Sequence, residues 1–65
     1  MGIKDRVFKL LVTEKEGLTI TDVSKKLEVH YSTASKYLAV LEAEGTLRHR
    51  DIGMAKVFTI DKKVT

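Results

Sequence analysis

The sequence contains no cysteine, no proline, and no apolar run approaching the length of a membrane span. Without cysteine there is no disulfide, no thiolate metal site and no thiol nucleophile, so the core must hold by packing. The opening stretch "MGIKDRVFKLL" lacks the uninterrupted apolar region and cleavage site of a signal peptide. Arg6 also stands where a myristoylation signal beginning Met-Gly needs Ser or Thr. No membrane association is expected, and a cytoplasmic location is the default. There is no repeat, no low-complexity tract and no Pro- or Ser-rich linker; only "DKKVT" at 61–65 is expected to fray.

Catalytic chemistry is equally short of material. His30 and His49 have no clustered carboxylates or cysteines around them in the sequence, so neither reads as a metal ligand. Ser35 with His30 lacks an orienting acid, and nothing resembles a phosphate-cradling glycine loop. No enzyme activity, metal or cofactor is expected. What remains is a chain of 65 residues, one domain of residues 1–65, with room for a single modest core. Its 12 Lys and Arg exceed its 9 Asp and Glu, giving a formal charge of +3. That surplus favours an anionic partner without requiring one.

Apolar spacing organises the chain. Ile3, Val7, Leu10 and Leu11 follow one helix face, and Gly17 breaks the pattern, which predicts helix one over about 3–14. Phe8 and Val12 fall roughly opposite that stripe as a second i, i+4 pair. Either the strands cover this second face or it forms a twofold dimer contact through Phe8 and Val12; cover by the strands is the favoured reading. Leu18 to Ile20 reads as a short extended piece, expected at a sheet edge. Thr21 is the expected N-cap of helix two, about 22–28, with Val23 and Leu27 facing inward. A break at Glu28-Val29 precedes helix three, about 31–44, with its N-cap position on His30 and its stop at Gly45. Two β-rich runs, "TLRHRDI" and "AKVFTI", flank a short turn at Gly53-Met54 and predict a hairpin within about 46–60. Leu47, Phe58 and Ile60 are expected to point inward. Three helices and then a hairpin make an α+β winged helix-turn-helix.

Helix three carries the functional signal. With Ala34, Leu38 and Leu41 buried, Ser32, Lys36, Ala39 and Ala43 lie on the opposite side, with Thr33 and Ser35 on the shoulders and Tyr31 and Tyr37 flanking the core stripe. That face is slim, polar and free of acids, as a helix entering the major groove must be. The hydroxyl run also reads more plainly as side chains satisfying the amides of a helix start, and the two roles are compatible. Arg48, Arg50 and Lys56 stand in the hairpin against one acid, Asp51, so a hairpin tip bearing cations is expected on the backbone or in the minor groove. Lys4, Arg6, Lys9 and Lys15 are interspersed with Asp5, Glu14 and Glu16 and read as a solvated face.

The stretch "ITDVSKKLEVHYSTASKYLAVLEAEGTLRHRDIGMAKVFTI" resembles the winged helix-turn-helix of ArsR-like and MarR-like transcriptional regulators. The resemblance implies that Tyr31, Ser32, Thr33, Ser35 and Lys36 face double-stranded DNA, that Tyr37 bonds a phosphate, and that Arg48, Arg50 and Lys56 form the wing contacts. In this sequence Glu28 occupies the turn position where such regulators often have Gly, and His30 the N-cap where they often have Ser. Their metal-binding thiols are absent and no small-molecule effector site is evident, so the resemblance implies no sensing role. The expected function is sequence-selective duplex binding by a homodimeric transcriptional regulator. The alternative is a winged-helix protein-protein interaction module in a larger nucleic-acid-processing assembly. Such a module would show large apolar or acidic residues on helix three, where this sequence has Ser32, Lys36, Ala39 and Ala43, with Val40 near the edge.

Overall fold

The computed structural model describes residues 2–62. Three helices, α1 (Ile3–Thr13), α2 (Ile20–Leu27) and α3 (Tyr31–Ala43), are followed by strands β1 (Leu47–Ile52) and β2 (Ala55–Ile60). The strands form an antiparallel hairpin in the order β1-β2. This is the α+β winged helix-turn-helix expected from the apolar spacing.

Every element contributes to one core of Val7, Leu11, Leu18, Val23, Ala34, Leu38, Leu41, Leu47 and Phe58. Among the described residues no polar or charged side chain is buried. The core is therefore held by apolar packing alone, each large side chain contributing on the order of 2 kcal/mol. The stripe of α1 centres on Val7 and Leu11. At 100° per residue Phe8 then lies about 80° from that centre and Val12 about 120°. The difference separates them: Phe8 is half-buried against the core, while Val12 is 43% exposed. The second face read from the i, i+4 spacing, expected to be covered by the strands, is thus divided: Phe8 is covered and Val12 is left exposed.

Helix α2 starts earlier than its sequence suggests. Its N-cap is Thr19, not Thr21, because Thr19 and Asp22 close a capping box. The Asp22 amide donates to Thr19 Oγ1 at 3.2 Å and the Thr19 amide donates to Asp22 Oδ2 at 3.3 Å. Thr21 instead lies within the helix, where its carbonyl accepts from Ser24 Oγ at 2.9 Å. The early start also shortens the extended piece expected at Leu18 to Ile20. Only Leu18 pairs, as an isolated bridge to Phe58, with Leu18 N–H donating to the Phe58 carbonyl at 3.0 Å and Phe58 N–H to the Leu18 carbonyl at 2.8 Å. Gly17 leads into this bridge at φ +96, and a Cβ there would meet Val57 Cγ1 at 2.6 Å and the Phe58 carbonyl at 2.9 Å. The site admits only glycine without displacement of β2.

The turn between α2 and α3 passes through Glu28, the C-cap of α2, in the left-handed conformation at φ 56 and ψ 46. A side chain there costs about 1–2 kcal/mol relative to the right-handed region. His30 is the N-cap of α3, as expected, yet its ring makes no capping hydrogen bond. At the far end, Asp61 N–H donates to the Thr46 carbonyl at 2.9 Å and extends the hairpin by one bond. The expected fraying of "DKKVT" lies outside the described residues from 63 onward.

Candidate nucleic-acid interface

The exposed side of α3 is built by helical spacing. Ser32, Lys36, Ala39 and Ala43 are exposed, and Ala34, Leu38 and Leu41 are buried opposite them. Thr33, Ser35 and Tyr37 are half-buried on the shoulders, and Tyr31 is exposed at the helix start. Lys36 Nζ sits 5.5 Å from the centre of the Tyr37 ring, a cation–π approach that steadies the one cation of this face.

The two acids at the end of this helix, Glu42 and Glu44, each pair with another element, and Glu28 is exposed in the turn that precedes it. The first turn of α3 contains no acid. Glu42 pairs with His49 Nδ1 in β1, and that ring lies 5.5 Å from the Phe58 ring. Glu44 pairs with Lys4 of α1. Each carboxylate thus clasps α3 to another element. Arg6 is also occupied within the fold, donating to the Leu27 carbonyl at the end of α2 at 3.4 Å. Lys4 and Arg6 therefore serve the packing of α1 against its neighbours.

The wing cations do not form one group. Cross-strand register places Leu47 opposite Ile60, His49 opposite Phe58 and Asp51 opposite Lys56 on the face that continues the core. Arg48, opposite Thr59, and Arg50, opposite Val57, lie on the other face. There they line a groove with Val12 and Lys15 of the α1 end. Lys56 instead shares a cleft with Tyr31, Met54, Thr19 and Thr21. Of the expected contact residues, the structure brings Lys56 beside the start of α3 and separates it from Arg48 and Arg50.

The hairpin apex differs from a tip bearing cations. Gly53 takes φ +62 at the first position of the two-residue loop, as type II′ geometry demands, and Ile52-Gly53-Met54-Ala55 is uncharged. Met54 is fully exposed. The stretch "DIGMAK" contains this signal, since a turn at Gly53-Met54 leaves only apolar side chains at the apex.

A three-helix core with a hairpin wing and a third helix whose outward row is free of acids defines a winged helix-turn-helix regulator of the DNA-binding kind. The IclR helix-turn-helix domain family matches residues 6–51, more than half of the 65, and the chain belongs to that family. This is a different branch from the ArsR-like and MarR-like regulators that the sequence resembles. The family is one of DNA-binding transcription regulators rather than enzymes. No curated protein matches the chain. No helix among the described residues is long and apolar enough to cross a membrane.

Proposed function

We propose that the chain reads duplex DNA sequence-selectively, with α3 in the major groove and the wing on the adjoining backbone or minor groove. The observation that carries this reading is the slim exposed row Ser32, Lys36, Ala39 and Ala43, with Glu42 and Glu44 at the end of the helix paired to other elements of the fold. Ser32, Thr33 and Ser35 supply short hydroxyls for base edges or phosphates, Lys36 reaches guanine or phosphate, and Tyr31 and Tyr37 stand beside them. Lys56 bonds the backbone next to the start of α3, and Arg48 and Arg50 act on phosphates from the other wing face. These contacts are similar to those implied by the ArsR-like and MarR-like resemblance.

The regulator acts in the cytoplasm as a homodimer whose two α3 helices lie about one DNA turn apart, roughly 34 Å, on a near-palindromic site. Exposed Val12 is the α1 residue available to such a contact, whereas Phe8 is half-buried against the core. The test is a fluorescence-anisotropy titration against random duplexes and against a pool selected for binding, at two salt concentrations. The expected result is saturable binding that tightens on the selected pool and weakens with salt at a logarithmic slope near 0.9 per phosphate contact. Absence of binding at low salt would overturn the reading and favour the protein-docking alternative.

A further inference from the structure

The exposed large apolar side chains among the described residues are Val12, Tyr31, Ile52 and Met54. Three of these belong to the wing tip and the start of α3. Met54 is 107% exposed at the apex, Ile52 is 54% exposed on the strand leading into it, and Tyr31 is 57% exposed. Ile52 and Ala55 are cross-strand partners, so they form an apolar base behind Met54. Charge is held further back: Arg50 shares the face of Ile52, and Lys56 sits on the opposite face across from Asp51. A hairpin that only lies along phosphates would place its cations at the apex. Here the apex is apolar and its cations flank it on both faces.

Met54, Lys56 and Tyr31 line one cleft of about 420 Å³. The apex therefore lies beside the start of α3, and a duplex seated on α3 passes against it. We infer that the wing tip is an apolar wedge: Met54, backed by Ile52, enters the minor groove next to the α3 contact and partly unstacks one base step. Arg50 and Lys56 hold the phosphates on either side. Apolar side chains used in this way bend the duplex, and the bend is easiest at flexible pyrimidine–purine steps. Met54 would then select sites by deformability, without a hydrogen bond to any base. The inference rests on the proposed DNA-binding function and adds to it a second, shape-based reading element.

The test uses end-labelled duplexes carrying the selected site, with either a TA or a GG step at the wing position. Bend is read by energy transfer and affinity by anisotropy, for the wild-type chain and for Met54→Ser. Met54 is fully exposed, so this variant keeps the core intact; its thermal midpoint should match the wild type. The expected result is a bend and roughly a five- to tenfold preference for TA in the wild type, both lost in Met54→Ser, with affinity for the GG duplex unchanged within about twofold. A Met54→Ser variant that keeps both the bend and the preference would overturn the wedge. So would tight wild-type binding with no bend and no step preference, an outcome that preserves α3 as the DNA reader and leaves the apolar tip to a protein partner. Failure of the wild type to bind either duplex at low salt would overturn the wedge together with the DNA-binding function.

Discussion

The two helices of the helix-turn-helix begin in opposite ways. Helix α2 closes its own start: Thr19 and Asp22 exchange hydrogen bonds, and a carboxylate lies against the positive end of the helix dipole. Helix α3 begins at His30 with no side-chain cap and no acid in its first turn. Its first side chains are Tyr31 and Ser32, both exposed. A helix whose role is structural gains from satisfying its terminal amides internally. One that meets an anionic partner must leave that end uncharged and outward.

The contrast can be broken most severely by giving α3 the carboxylate that α2 has. Thr33→Glu places an acid at the third residue of α3, the position that Asp22 holds in α2. Helix-dipole interaction should hold stability level or raise it by about 0.3–1 kcal/mol. DNA affinity should fall tenfold or more, through repulsion of phosphates. Urea unfolding and anisotropy measured on the same variant separate the two effects.

The reverse change tests the other helix. Thr19→Ala removes the cap of α2 and should cost about 1 kcal/mol of stability in urea unfolding. The affinity of the folded protein, measured well below its thermal midpoint, should stay within about twofold. A smaller effect is expected in the turn between the helices. Glu28→Gly relieves the left-handed side-chain strain at φ 56 and should raise stability by about 0.5 kcal/mol, after the greater unfolded-state freedom of glycine is offset.

Much of this molecule is legible in its sequence, for physical reasons that differ from residue to residue. The buried stripe of α3 follows from the spacing of Ala34, Leu38 and Leu41, and the wing turn from Gly53 between two β-rich runs. Helix α2 is displaced because a capping box with Asp22 in place of the commoner Glu or Gln outcompetes Thr21. The fates of Phe8 and Val12 depend on where the stripe of α1 is centred, which tertiary packing decides. The split between Lys56 and the Arg48, Arg50 pair is a matter of strand parity, already implied by a two-residue turn that pairs Ile52 with Ala55. The Glu42–His49 clasp is not legible in this way. It joins a helix to a strand and exists only once both are packed.

The most direct test of the outward, acid-free row of α3 as the DNA-reading element is a backbone amide NMR titration of the chain with its selected duplex. The largest shift changes should fall on Tyr31 to Lys36 and on Gly53 to Lys56, with those of Val23 to Leu27 small. Changes concentrated instead on the end of α1 around Val12, with Tyr31 to Lys36 unmoved, would contradict the account.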